Sequence, residues 1–114
     1  MRKASKRTNA FAIKKFWDAR AENEKLRPDA TLRDMNLRFL EIEAVRESIA
    51  GRKTVVDIGC GNGFSTLAFA QVCKSGIVGV DVSTEMIKLA KKRFRLSGAP
   101  ISQKADFVVA SAFN

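Results

Sequence analysis

An apolar run that carries an acid near its end and then opens into three alternating glycines is the feature that most restricts how this chain can fold. It reads Thr54-Val55-Val56-Asp57-Ile58-Gly59-Cys60-Gly61-Asn62-Gly63-Phe64-Ser65-Thr66. Val55, Val56 and Ile58 favour a pleated backbone, and a run this apolar predicts a strand buried on both faces. Gly59, Gly61 and Gly63 then remove every Cβ where the main chain could touch a ligand. Strand, tight turn and the first turn of a helix are expected in immediate succession.

The same alternation continues downstream. Residues 64–74 predict a helix that turns Phe64, Leu67, Ala68 and Val72 to a sheet, ended by Ser75-Gly76. Residues 77–82 form a second apolar strand. Ser83 is placed to cap a helix whose first turn carries Glu85, favourable at the positive end of the helix dipole. Ile87, Ala90 and Phe94 recur there at helical spacing, flanked by Met86 and Leu89, before Ser97-Gly98-Ala99-Pro100 closes the helix. Residues 106–110 read as a third strand. Strand, helix, strand, helix, strand implies right-handed crossovers and an α/β fold built on a parallel sheet.

The chain before Gly51 is different in kind. Residues 1–9 are basic and small, with nothing to bury, and are expected to be a frayed tail. Residues 10–25 place Ile13, Phe16, Trp17 and Ala21 on one helical stripe, with Lys14, Lys15, Asp18 and Glu22 on other faces. Arg27-Pro28-Asp29-Ala30 interrupts that helix, and Asp29 or Thr31 is available to cap a second one over residues 31–50. Met35, Phe39, Ile42, Val45 and Ile49 are its inward stripe, and Gly51 stops it. The organisation is therefore a tail (1–9), a helical region (10–50) and an α/β unit (51–114).

Composition narrows the chemistry. A content of 46% hydrophobic residues in 114 supports one small domain with a core. Histidine is absent, so imidazole acid–base catalysis and histidine metal ligation have no residue in this chain. Cys60 and Cys73 fall at opposite ends of one expected helix, roughly 15 to 20 Å apart at about 1.5 Å per residue, too far for a disulfide. They lack a paired C-x-x-C, so no metal site is expected. No apolar run approaches a membrane span, and with unpaired thiols this predicts a cytoplasmic protein. The net charge of +9 bears on encounter with anionic partners rather than on fold.

Glycine spacing separates two kinds of nucleotide turn. A dinucleotide fingerprint needs G-x-G-x-x-G, and here Phe64 and Thr66 stand where the third glycine would be. The pattern Asp57-x-Gly59-x-Gly61-x-Gly63 instead closely resembles the first motif of class I S-adenosylmethionine-dependent methyltransferases. Gly79-Val80-Asp81-Val82-Ser83, with Glu85-Met86 after it, resembles the second motif of that family at the expected distance. The resemblance covers residues 55–114, and Phe16-Trp17-Asp18 is loosely similar to the segment that often precedes the family's core.

The resemblance implies a Rossmann-like unit, comprising the first three strands and two crossover helices of the methyltransferase fold, preceded by two helices. It implies S-adenosyl-L-methionine as cofactor. Asp57 would supply negative charge beneath the methionyl ammonium, and the backbone of Gly59, Cys60, Gly61, Asn62 and Gly63 would approach the methionyl and ribose portions. Asp81 would accept hydrogen bonds from both ribose hydroxyls. Val82 would pack on adenine, and Met86 would close that pocket. Ser111 stands where family members often place an acid for the adenine amino group. Its hydroxyl is the weaker acceptor.

Catalytic residues are left unassigned, because the groups that position the methyl acceptor in the family follow a fourth strand that this chain does not supply. The first strand is central in the family, so one of its edges would be bare. Two expectations follow: a fragment of a longer methyltransferase, or association of copies through that edge. The competing reading is a methyltransferase-like interaction module without catalysis, binding a protein or nucleic acid through its bare edge or its basic surface. Lys88, Lys91, Lys92, Arg93 and Arg95 are the residues for the latter, although such a run on an amphipathic helix is more often its solvated face. Cys60, with no histidine to activate it, reads as a packing residue.

Overall fold

In the computed structural model, residues 2–28 and 34–111 are described, with side chains from residue 11 onward. The described elements are α1 (Arg2–Glu24), α2 (Met35–Ile49), β1 (Thr54–Ile58), α3 (Phe64–Ala70), β2 (Gly76–Asp81), α4 (Thr84–Ser97), a 3-10 turn (Ile101–Gln103) and β3 (Ala105–Val109). The strands form one parallel sheet in the order β1-β2-β3. Asp57 pairs with Gly79, and Gly79 with Phe107. The α/β alternation and the Rossmann-like unit are as the sequence predicts.

Among the described residues the core lies on one face of the sheet. Phe69, Ala70 and Cys73 from α3 and its end, Phe94 from α4, Ile77 from β2 and Ile42 from α2 are buried together, with Val55, Ala105 and Phe107 packed against them. Phe107 stacks edge-on against Phe94, with ring centroids 5.1 Å apart. It leans so far over β2 that a Cβ on Gly79 would lie 2.5 Å from the ring, which is why glycine stands there.

Short-range physics explains the helix starts. Ser83 accepts a hydrogen bond from the Met86 N–H at 3.1 Å and caps α4. Asp34 does the same for α2 through the Leu37 N–H at 3.0 Å. The expected caps Asp29 and Thr31, and the expected helical residues 31–33, lie outside the described residues.

Several expectations are corrected. The strand β1 is buried on one face rather than two: Val56 is 57% and Ile58 66% exposed, because α3 and α4 both pack on the other side. The segment expected as a frayed tail is helical from Arg2, since nothing between it and Glu24 is proline or glycine to stop the helix. The helix α3 ends at Ala70 instead of Lys74. There the Lys104 ammonium donates to the carbonyls of Ala70 (2.7 Å) and Cys73 (2.6 Å) and takes over helix-end acceptors.

The outer helices bury only part of the stripes that their apolar periodicity predicts. On α2 Ile42 is buried and Met35 and Ile49 are half-buried, while Phe39 and Val45 are exposed; α2 packs chiefly on α3. On α1 Ala21 is buried and Trp17 half-buried, but Ile13 and Phe16 are exposed. The face turned to α4 instead carries Lys14 and Asp18, which bond to its first turn.

Candidate functional site

In an open parallel sheet, ligands lie beyond the carboxyl ends of the strands, where a strand turns into its helix. Here β1 and β2 end side by side, with Asp57 next to the last residue of β1 and Asp81 at the end of β2. The β1–β2 ladder runs one step into the glycine turn: the Val80 carbonyl accepts from the N–H groups of Gly59 (2.7 Å) and Cys60 (3.0 Å).

Asp81 ties the two strand ends together. Its Oδ2 accepts from the Gly61 N–H at 2.9 Å and its Oδ1 from the Ser83 N–H at 2.9 Å. Two main-chain donors thus fix the carboxylate, and each oxygen retains a second lone pair for a ligand hydroxyl. Asp57 is held from the helix side, accepting from the Thr66 hydroxyl at 2.7 Å. Burial pushes its carboxyl above the ordinary aspartate value; the Thr66 bond and Arg38 oppose the shift, and the charge of Asp81 reinforces it. The two acids sense one another across the turn, an arrangement suited to a cation.

The three motif glycines have separate reasons. Gly59 has φ 76°, and a Cβ built on it would meet nothing within 4 Å, so its open side is free for close approach. Gly61 is buried and presents its N–H to Asp81. Gly63, at φ 82°, lies against α4, where a Cβ would sit 3.1 Å from the Cβ of Ala90. It serves helix packing.

Of the other predicted residues, Val82 is half-buried between Asp81 and Ser83. Ser111, also half-buried, follows Ala110, whose N–H donates to the Asp81 carbonyl at 3.0 Å. Cys60, Asn62 and Met86 turn into the protein. Burial pushes the Cys60 thiol far above its usual range, helped by Asp81 and Asp57, so no reactive thiolate forms. Asn62 donates to the carbonyls of Lys25 and Arg27, each at 2.9 Å, and fastens the end of α1 to the glycine turn. Met86 has no exposed surface.

Three residues near the site escape the sequence reading. Asp18 accepts from the Ser83 hydroxyl and from the Glu85 N–H (3.2 Å), while Lys14 pairs with it at 2.9 Å. Burial opposes the Asp18 charge, but the bonds from Lys14, Ser83 and Glu85 outweigh it and hold the carboxyl below its ordinary value. Arg93 donates to the Leu26 carbonyl and to that of Asn62 (3.0 Å). Arg38 and Arg93 both stand over the Phe64 ring, 5.8 and 5.5 Å from its centroid. The Arg38 Nε finds no hydrogen-bond partner among the described residues. No local signal finds these three residues: periodicity sets Asp18 off the apolar stripe of its helix, and nothing marks the arginines as neighbours of the glycine turn.

The residues present fit a nucleoside bearing an amino-acid arm: a fixed carboxylate for a diol, a buried acid for an ammonium, and a turn open at Gly59. Comparison with known proteins points the same way. Residues 55–114 match the family profile described as "Methyltransferase domain". A protein of Invertebrate iridescent virus 6, named as a methyltransferase, is 39% identical over 70 residues, covering 54% of this chain and 26% of its own. Magnesium protoporphyrin IX methyltransferase from Synechocystis PCC 6803, solved with bound S-adenosylmethionine, superposes with a TM-score of 0.69 at 16% identity over 90% of this chain and 54% of its own. Geranyl diphosphate C-methyltransferase from Streptomyces coelicolor A3(2), solved with S-adenosylhomocysteine, gives 0.60 at 22% identity over 70% and 31%. The chain therefore spans between about a quarter and about half of the length of these relatives.

Proposed function

The chain belongs to the methyltransferase-domain family, and on that premise we propose that it holds S-adenosyl-L-methionine at the carboxyl ends of β1 and β2 for transfer of a methyl group. The observation that carries this reading is Asp81, fixed by the N–H groups of Gly61 and Ser83 with lone pairs left for a diol. The bound cofactor supplies an electrophilic methyl on a sulfonium. The chain's own residues bind and orient. Asp81 accepts the ribose hydroxyls, Asp57 offsets the ammonium, and the open backbone at Gly59 with Gly61 lets the ligand approach. Val82 gives adenine an apolar contact, and Ser111 offers a hydroxyl to its amino group. Cys60, Asn62, Gly63 and Met86 support the turn from behind.

The acceptor is left open, since these residues address the cofactor alone. The relatives' substrates are as different as a diphosphate and a porphyrin. No observation favours a non-catalytic interaction module. Lys88 pairs with Glu85 at 3.2 Å, as a solvated helix face does. No helix among the described residues is long and apolar enough to cross a membrane. The unpaired, buried thiols of Cys60 and Cys73 support a reducing, cytoplasmic setting.

The sheet face that the described residues leave open, and the β1 edge that no described strand pairs, support association of copies or addition of a further strand. A monomer by light scattering, with rapid exchange of the β1 amides, would remove association of copies. The cofactor reading is tested by calorimetric titration with S-adenosylhomocysteine. Wild type should bind, and Asp81→Ala should weaken affinity about tenfold or more through lost charge-assisted hydrogen bonds. No heat from a folded wild type overturns the reading.

A further inference from the structure

We propose that Asp18 of α1 is a positioning residue for the ligand-binding carboxylate Asp81, acting through the turn at Ser83. The inference rests on the cofactor reading above. Its basis is a continuous relay. The Gly61 and Ser83 N–H groups donate to Asp81, the Ser83 hydroxyl donates to Asp18, and the Ser83 oxygen accepts from the Met86 N–H. Ser83 has no exposed surface, so its hydroxyl proton must find an acceptor inside the protein.

Asp18 is that acceptor, although it belongs to a helix some 65 residues away in sequence. Its orientation is held from both sides. One oxygen takes Ser83 and the Glu85 N–H; the other takes the Lys14 ammonium, which also donates to the Thr84 hydroxyl at 3.0 Å. Remove Asp18, and the buried hydroxyl loses its acceptor while the N–H of the same residue still holds Asp81, so the turn that aims the carboxylate is free to shift. Asp18 thus fixes the turn's pose, which makes docking of α1 a condition for tight ligand binding.

The test is a double-substitution cycle read by titration with S-adenosylhomocysteine, on the full chain, with circular dichroism and urea unfolding beside it. Asp18→Ala should weaken binding about tenfold, the loss of one charge-assisted bond, whereas Asp18→Asn keeps an acceptor for Ser83 and should stay within about threefold. In an Asp81→Ala background, Asp18→Ala should cost less than about twofold, because the group it positions is gone. A merely structural role would give the same loss in both backgrounds, and that result overturns the proposal, as does unchanged affinity in folded Asp18→Ala. If Asp18→Ala fails to fold, Lys14→Met loosens Asp18 without removing it and should give about a threefold loss that disappears in the Asp81→Ala background. A folded wild type that binds nothing overturns the cofactor reading itself, and this inference with it.

Discussion

Gly59 and Gly63 belong to one turn and share the left-handed region, at φ 76° and 82°, yet alanine at the two positions should do different things. The backbone cost is common to both: about 1 to 2 kcal/mol for alanine in that region, less about 0.4 to 1 kcal/mol recovered from a smaller unfolded ensemble. At Gly59 that is nearly the whole effect, about 1 kcal/mol, because the added methyl meets nothing within 4 Å. At Gly63 the methyl would stand 3.1 Å from the Cβ and 3.2 Å from the Cα of Ala90. A backbone atom cannot rotate aside, so α3 must back away from α4. Overpacking of this kind adds roughly 1 to 3 kcal/mol, for a total of about 3 kcal/mol. Against a total stability of about 5 to 15 kcal/mol that is a large loss.

With a urea slope of about 1.5 kcal/mol/M, the midpoint should fall by about 2 M for Gly63→Ala and by about 0.7 M for Gly59→Ala. Ligand binding should rank them in the opposite order. The Gly59 methyl enters the open side of the turn, so the folded Gly59→Ala protein should lose about tenfold or more in affinity for S-adenosylhomocysteine, as a steric block in a close-approach site does. Equal urea midpoints would refute the packing argument for Gly63. Unchanged affinity in Gly59→Ala would refute the assignment of that open side to the ligand.

Other substitutions probe separate parts of the structure. Asp57, with a folded pKa raised above 3.8 by burial, contributes stability that is present below that value and lost as pH rises through the folded pKa. Asp57→Asn should therefore raise the melting temperature at neutral pH, with the advantage vanishing under acid, while weakening binding of the ammonium-bearing ligand; an unaltered melting profile would contradict the burial argument. Lys104→Met leaves the Ala70 and Cys73 carbonyls without their shared ammonium and should cost about 2 kcal/mol in denaturant unfolding. Asn62→Ala frees the Lys25 and Arg27 carbonyls from their common donor. Hydrogen exchange should then quicken in the last turns of α1 well before it does in the central strand β2.

Much of this architecture is written in short-range patterns. The β-branched runs at 54–58 and 76–81, the serine ahead of α4 and the apolar stripe of Ile87, Ala90 and Phe94 each act within a few residues. Spacing and capping therefore expose them without knowledge of the rest of the chain. Acids at or next to the ends of two successive strands, with glycines between, mark the candidate site for the same reason.

What the tertiary structure alone decided is which neighbour each face meets. Periodicity assigned Ile13 and Phe16 to the interior of α1, but the surface opposite is the first turn of α4, whose N–H and hydroxyl groups require an acceptor, so Asp18 faces inward. The apolar pattern of β1 could not reveal that both crossover helices cover the same side and leave Val56 and Ile58 outside. Identical residues in one motif likewise separated only in three dimensions, Gly59 facing open space and Gly63 a helix. Spacing along a chain records how one element is built, whereas its burial depends on groups many residues distant, and those contacts exist only once the chain has folded.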